Sequence, residues 1–595
     1  MRGEGWNLKS QGIQSAIWGA FSMHIRNCAV SILVMMVFGG AAVVRAQAPP
    51  PVLFFTDLTT GPNSGGEAVG SFSGAYVTLY GNFFGASQGT SSVTWNGQNC
   101  LRVVPSTGTY AGWGTPHLWY QEIIVQLGAS CTPGAGNFVV TTQTGTSNGL
   151  SFTVKALGSN HIYFVSTSGN DGNSGTFASP LKTATQCAKI EVAGDVCYVE
   201  NGVNAPNNDW GFAALTIGAN SGTAAAPIAL GTYPGATATM GSNNVNRGII
   251  LCNGQSPQCP NASYWTVFGF TAIGTNMGIN VDYAGSDHNR IAALNVQCPV
   301  VPSGSFYGCF MNSGPSFTTA LGNEVWNVGN GGKLTHGLYF GADGHDFEVG
   351  WNSVHDVRGC RGMQFYNGSI ATYNVSVHDN LVYNTPCDGM DLDVNTNLGY
   401  AKVYNNVFYH VGAGPDQGGQ NAACLYTLSA AGAGSTPVQV YNNTFYDCGA
   451  LGSSISGMLT VLVPTSFVNN IFYSTGSERY ITANTTTGDI SGSNNIWYGQ
   501  GNGPSQMTTN INSNPQFVTT AGCSSAPFTG CSLQLLLNSP AIGAGTLSWT
   551  GGSSPSYDVY GLIRPTPRSI GAYEFSGGTV VAKPNPPTNL TVVVQ

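Results

Sequence analysis

Lysine, arginine, aspartate and glutamate make up only 7% of this chain, so their placement is informative. Thirteen of them, with five of the nine histidines, fall between Lys333 and Asp416. Three strings in this stretch, THGLYF from Thr335, CRGMQF from Cys360 and CDGMDLD from Cys387, share a polar residue, a glycine and an alternating apolar run. As strands they place Leu338, Met363 and Met390 inward with Phe340, Phe365 and Leu392, because side chains alternate across a strand. Tyr339, Gln364 and Asp391 then form one outward column, with Asp393 beside Asp391. His336, Arg361 and Asp388 form a second column at the strand start, where a bend leaves their direction open. Neighbouring strands lie about 4.8 Å apart, close enough for these groups to act together.

A base, a cation and several carboxyls in one patch suit proton abstraction next to a substrate carboxylate, with the cation holding the enolate charge that develops. Lys333 or His336 is the expected base, Arg361 or Arg358 the expected cation, and Asp391 a catalytic carboxylate. Tyr339, Arg358, Gln364 and Lys402 are the expected substrate contacts. Lys402, also a second candidate base, falls in the strand series of Glu348, Ser376 and Gln439, on another face. Asp388, Asp391 and Asp393 are hard oxygen ligands suited to a Ca²⁺ ion bridging to the substrate carboxylate. Asp391 and Asp393, two apart on one face at roughly 6.5 to 7 Å, also suit the acid and base of glycosidic hydrolysis with a water between them. Asp-Gly and Arg-Gly before a strand are ordinary turn chemistry too, which would make the patch a solvated surface.

The element that must position these groups is written in a repeated phrase. It reads NVQC at Asn295, NEVWNV at Asn323, NSVHDV at Asn352, NLVYNT at Asn380, NVFYHV at Asn406, NTFYDC at Asn443, NIFYST at Asn470 and NIWYG at Asn495. The asparagines are 28, 29, 28, 26, 37, 27 and 25 residues apart, a solenoid period, and each unit alternates apolar, β-branched and aromatic residues. This is the rung of a right-handed parallel β-helix, an all-β fold. Stacked asparagine amides satisfy one another inside the coil. Trp326, His355, Tyr383, Tyr409, Tyr446, Tyr473 and Tyr498 should form an aromatic column, read as structural rather than as a sugar platform. The long 37-residue step holds an insertion from Gly412, whose Asp416 and Gln417 are expected to border the groove.

The composition supports a folded, secreted chain. Apolar residues at 42% supply a core, 82 glycines suit tight turns, and a net charge of −8 with no basic stripe to replace phosphate counterions argues against a nucleic-acid partner. Arg26, the apolar run Cys28 to Val44 and Ala46-Gln47-Ala48 read as a signal peptide over residues 1–48, with Met23 a candidate start. No later run is long and apolar enough to span a bilayer. The remaining fourteen cysteines fall as neighbours (100/131, 187/197, 252/259, 298/309, 360/387, 424/448, 523/531), expected as disulfides in an extracellular protein.

Residues 52–154, with VTLYGNFFG at Val77, SVTWNG at Ser92 and SNGLSFTV at Ser147, resemble an IPT/TIG immunoglobulin-like domain. The stretch from His161 (HIYFVSTSGNDGNSGTFASPLKT, then GDVCYVENG) resembles the opening segment of secreted pectate-lyase-like β-helix proteins, many of them polysaccharide lyases. In it, Leu181 to Val192 is expected to form a capping helix over the first rung. NSPAIGAGT at Asn538 and SIGAYEF at Ser569 resemble the closing segment of the same proteins. The expected organisation is an immunoglobulin-like sandwich, a β-helix over 160–575 and a Pro-rich tail over 576–595. The resemblance and the patch together imply a monomeric, secreted lyase that cleaves an acidic, uronate-containing polysaccharide with Ca²⁺. A glycoside hydrolase using paired aspartates and a non-catalytic carbohydrate-binding or adhesion protein are the alternatives.

Overall fold

The computed structural model describes residues 48–577, apart from 106–111, 209–212, 253–260, 283–284, 303–306, 330–331, 342–343, 368–371, 430–433, 435, 452–455 and 477. The expected signal peptide and Pro-rich tail fall almost entirely outside these residues.

Residues 52–155 form a β-sandwich of two five-stranded sheets, mostly antiparallel. One sheet runs Val52–Thr56, Phe72–Asn82, Tyr120–Gly128, Leu101–Val103, with Trp113–His117 also on Tyr120–Gly128. The other runs Thr60–Pro62, Leu150–Lys155, Gly134–Thr142, Ser92–Trp95. Alternating residues such as Val77, Leu79, Ile123, Val125, Phe138 and Val140 close the core between them. Cys100–Cys131 staples the sandwich.

The rest is a β-helix of three long parallel sheets with twelve, nine and ten strands among the described residues. A helix, Ala184–Ile190, covers the first rung, and Thr183 caps its start by accepting from the Gln186 N–H. It is shorter than expected, because the chain leaves helical geometry at Glu191. One rung runs Phe347–Gly350 on the twelve-stranded sheet, Ser353–His355 on the ten-stranded sheet and Met363–Phe365 on the nine-stranded sheet. The coil's interior is a continuous apolar column, including Phe340, Phe365, Met390, Val403 and Phe408.

The asparagine sits at the bend between the first two of these strands. Each one accepts on Oδ1 from the main-chain N–H and the Nδ2–H of its neighbour; Asn352 donates to Asn380 at 3.0 and 2.9 Å, and Asn380 to Asn406 at 3.0 and 2.9 Å. The Nδ2 group also donates to a carbonyl of the preceding rung, as Asn380 does to Val349 at 2.9 Å. The ladder starts at Asn323, with Leu294 in its place one rung earlier, so the NVQC unit was expected one residue out of register. The residue before the ladder is left-handed, including Asp379, Asn405, Asn442, Asn469 and Asn494, which explains the Asn-Asn pairs, since Asn and Asp tolerate that conformation. The aromatic column forms as expected: His355, Tyr383 and Tyr409 stack at 4.6 and 4.7 Å.

Six disulfides join sequence neighbours as expected; Cys252 is also bonded, and Cys259 lies outside the described residues. Such bridges form in oxidising compartments. Among the described residues no helix is long and apolar enough to cross a membrane. The closing segment runs back along the ladder bends, where Thr546 O and Tyr557 O accept from Asn469 and Asn405. It reaches the sandwich at Tyr560, whose carbonyl accepts from Asn82.

Candidate functional site

On the nine-stranded sheet, Thr335–Gly341, Met363–Phe365, Met390–Asp393 and Leu425–Leu428 lie side by side. Tyr339, Gln364, Asp391 and Tyr426 are in register in one column, flanked by inward Leu338, Met363, Met390 and Leu425. The bend left open by the sequence is settled by glycine. A Cβ on Gly337, Gly362 or Gly389 would lie 2.7–2.8 Å from the next rung's carbonyl and at most 2.8 Å from a core side chain. Only glycine allows this inward approach. The residue before each glycine, His336, Arg361 and Asp388, is thereby turned toward the outer column.

Arg361 is the centre of the group. Its Nε–H donates to Asp388 Oδ2 at 3.2 Å, and the same nitrogen lies 2.9 Å from Asp391 Oδ2. Its terminal nitrogens reach Gln364 Oε1 at 3.5 Å and Gln420 Oε1 at 3.0 Å, each keeping a second hydrogen. Asp388 Oδ1 accepts from the Ala423 N–H at 3.0 Å. Among the described residues Asp391 Oδ1 and His336 Nδ1 are buried without a hydrogen-bond partner. The His336 ring stacks on Tyr339 at 5.6 Å, and Tyr339 on the exposed Tyr366 at 6.4 Å.

Burial sets the protonation states. It raises the carboxyls of Asp388 and Asp391 above the ordinary carboxylate range against the pull of Arg361, and for Asp391 the charges of Asp388 and Asp393 add to the rise. Burial disfavours the Arg361 charge, but the two carboxylates more than offset this and keep it protonated. Burial, then the nearby Arg361 charge, pushes His336 well below the usual imidazole value, so it is neutral at neutral pH. One guanidinium between two carboxyls favours a shared state in which one carboxyl keeps its proton.

The expected residues therefore divide. His336, Arg361, Asp388, Asp391, Gln364 and Tyr339 come together. Asp393 lies two residues on from Asp391 in the same strand and is buried. Lys333 is exposed in the turn before Thr335, away from these contacts. Arg358 donates instead to Asn327 Oδ1 and Val328 O, across the preceding turn. Lys402 is on the twelve-stranded sheet, in register with Ser376 and Gln439, with its ammonium over the Tyr400 ring. The sheet change removes Lys402 from the patch.

Arg361 also supplies to Asp388 and Asp391 the positive charge that calcium was expected to supply. Among the described residues Asp388, Asp391 and Asp393 do not form a set with ligand atoms within 4.8 Å; the one such set, Cys187, Glu191 and Cys197, contains a disulfide. The donor set fits calcium poorly on this ground.

Gln420, Tyr366 and Tyr426 were missed. Gln420 belongs to the insertion after Gly412, whose bordering role was legible, though Asp416 accepts from the Gly419 N–H of its own turn and not from the Arg361 group among the described residues. Tyr426 was hidden because Cys424 pairs in register with Gly389, not with Cys387, so aligning cysteines shifts the strand by two.

No family model and no curated protein matches the chain. Among solved structures, pectate lyase Pel9A is similar at 15% identity with a TM-score of 0.42, covering 70% of this chain and 96% of that one. An alginate lyase from Paenibacillus sp. is similar at 16% identity and 0.31, covering 56% and 97%. A GH136 lacto-N-biosidase from Eubacterium ramulus is similar at 11% and 0.33, covering 60% and 66%. Likeness at this level assigns neither a reaction nor a residue to this chain.

Proposed function

We propose that the chain is a secreted polysaccharide lyase that cleaves a uronate-containing polysaccharide by β-elimination without a metal ion. The observation that supports this reading most is geometric: Arg361 Nε lies 2.9 Å from Asp391 Oδ2 and 3.2 Å from Asp388 Oδ2, with the buried His336 imidazole on the preceding rung of a charge-poor coil, and burial lowers the proton affinity of His336 and raises that of Asp391. His336 takes the proton from the carbon next to the substrate carboxylate. The two unused Arg361 hydrogens hold that carboxylate as negative charge moves onto it. The C–O bond to the leaving sugar breaks as the C=C bond forms, and Asp391 gives its proton to the departing oxygen. Tyr339, Tyr366 and Tyr426 line the approach as stacking surfaces. Because Arg361, Asp388 and Asp391 are closed from solvent, substrate admission displaces the Gln420 loop.

A second reading, glycoside hydrolysis, is favoured by one observation: Asp388 and Asp391 share a single nitrogen of Arg361, and both carboxyls are raised. Paired carboxyls with altered proton affinity are what acid and base roles require.

The test is incubation with pectate, alginate and glycosaminoglycan while ultraviolet absorbance of unsaturated uronate is followed, with and without chelator. Absorbance that survives chelation supports the lyase. Reducing sugar without absorbance supports hydrolysis, and no product from any substrate leaves a binding protein.

A further inference from the structure

One buried acid of the β-helix has no part in the Arg361 group and no partner of its own. Glu191 ends the capping helix Ala184–Ile190 and is closed from solvent. Its main chain is satisfied: the N–H donates to Cys187 O at 3.1 Å, and the carbonyl accepts from Asn220 Nδ2–H at 2.7 Å. Its side chain is not, because both carboxyl oxygens are buried without a hydrogen-bond partner among the described residues. Asp195, the acid beside it, is also buried and accepts from the His161 and Val192 N–H groups at 2.7 and 2.9 Å. Burial, then the charge of Asp195, hold the Glu191 carboxyl well above the ordinary range, so it keeps its proton. Such a group is costly to keep, and a redox or catalytic role is one reason for keeping it.

Its neighbour is a disulfide. Cys187 on the helix is bonded to Cys197 on the strand Val196–Val199, and a Glu191 oxygen and the two sulfurs all lie within 4.8 Å of one another. Oxidised, the sulfurs offer Glu191 no hydrogen. Reduced, they rotate apart and complete its bonding: one thiol donates to the carboxyl C=O oxygen, and the acid O–H donates to the other sulfur. The reduced state thus gains bonds that the oxidised state lacks, and a disulfide whose reduced form is stabilised is the easier to reduce. Cys298–Cys309 is the matched comparison. It is as buried, closes a loop of 11 against 10, and among the described residues no His, Asp or Glu forms such a set with its sulfurs. Chain entropy therefore makes the two bridges equal, and Glu191 makes them differ.

We propose that Cys187–Cys197 is a redox-sensitive latch on the capped end of the coil, kept easy to open by Glu191 and opened by a small thiol. A thiolate of that small molecule attacks one sulfur and forms a mixed disulfide, while the other sulfur leaves as a thiolate and takes the Glu191 proton. A second small thiolate attacks the mixed disulfide, which releases the small molecule as its own disulfide and the remaining cysteine as a thiolate. Protons from solvent then return Glu191 and that cysteine to their acid forms. The helix Ala184–Ile190 thereby loses its covalent tie to Val196–Val199. The latch is separate from the Arg361 group, and its test does not depend on any cleavage activity.

The experiment equilibrates the folded full-length protein at pH 7 with graded mixtures of reduced and oxidised glutathione. Free thiols are then alkylated, and the peptides carrying Cys187, Cys197, Cys298 and Cys309 are quantified by mass spectrometry. The equilibrium constant for reduction of Cys187–Cys197 should exceed that of Cys298–Cys309 at least about tenfold, the size of one buried polar group gaining its hydrogen bond. Glu191→Met, unbranched and without the carboxyl, should lower the first constant at least about tenfold and leave the second unchanged. Amide exchange over Ala184–Ile190 should quicken at least about tenfold once the bridge is open. If Cys187–Cys197 stays closed in every mixture, opens no more readily than Cys298–Cys309, opens as readily in folded Glu191→Met, or opens without faster exchange in the helix, the proposal fails. If Glu191→Met does not fold, Glu191→Leu replaces it; if neither folds, the comparison of the two wild-type bridges decides.

Discussion

Arg361 Nε stands 2.9 Å from Asp391 Oδ2, so a cation on one rung is paired with a carboxyl on the next. Neither residue is adjacent to the other in sequence; the parallel register between Met363–Phe365 and Met390–Asp393 creates the contact. The pair is expected to carry the reaction. Asp391→Asn keeps the shape and removes the transferable proton, and should lower turnover by at least about 100-fold with the melting temperature little changed. Arg361→Lys keeps the charge but loses the planar fork that spans Asp388, Gln364 and Gln420, and should be comparably impaired. Full activity in folded Asp391→Asn would remove the site from consideration.

The pH profile should carry the signature of the same group. Asp391 must hold its proton, and burial with the charge of Asp388 keeps it there above the ordinary carboxylate range, so activity is present below the raised pKa and lost as pH rises through it. His336 must be neutral, and because burial depresses its pKa the acid limb should lie well below the usual imidazole value of about 6.5. Asp388→Asn removes a charge that raises Asp391, so the alkaline limb should move to lower pH. An alkaline limb that stays in place, or moves up, would show that Asp391 is not the proton donor.

The ladder makes a prediction about stability. Asn380→Leu strands the Asn352 N–H and Nδ2–H, which both donate to Asn380 Oδ1, and leaves Asn406 Oδ1 and Val349 O without its Nδ2–H. Unmade buried hydrogen bonds of this kind cost about 1 to 3 kcal/mol each, so a loss of at least about 2 kcal/mol is expected in denaturant titration. Asn323→Leu, at the end where Leu294 already replaces the amide, should cost less. Equal losses at the two sites would mean that the amides act singly and not as a chain.

Much of this fold was legible because a solenoid repeats its constraints. The Asn ladder, the Tyr column and the register of Leu338, Met363 and Met390 each recur at one period, and a recurring bond leaves a recurring letter. The cluster around Arg361 was legible only as a neighbourhood. Sequence placed His336, Arg361 and Asp388 in a column, but which way they faced depended on how closely Gly337, Gly362 and Gly389 approach the next rung, a distance no period encodes. Charge type misled as well: Lys402 and Arg358 are near the group in sequence, yet one strand or one turn carries them elsewhere.

The disulfide Cys360–Cys387 ties the two rungs immediately before Arg361 and Asp388. Its sequence separation is 27, and closing a loop of that size is worth about 3 to 4 kcal/mol on the chain-entropy account, so replacing both cysteines by serine should lower stability by an amount of that order. A staple of the coil would do no more than that. Here the bridge also fixes where Arg361 and Asp388 begin, because each follows its cysteine directly and precedes a glycine with no side chain to hold it. The double variant, assayed well below its melting temperature, should therefore lose activity per folded molecule, at least about tenfold if the guanidinium shifts by a fraction of an ångström from the two carboxyls. Replacing Cys523 and Cys531, whose bridge closes a loop of 8 in another part of the chain, is the control and should leave activity per folded molecule unchanged. If both double variants behave alike, the Cys360–Cys387 bridge stabilises the coil and has no part in placing the Arg361 group.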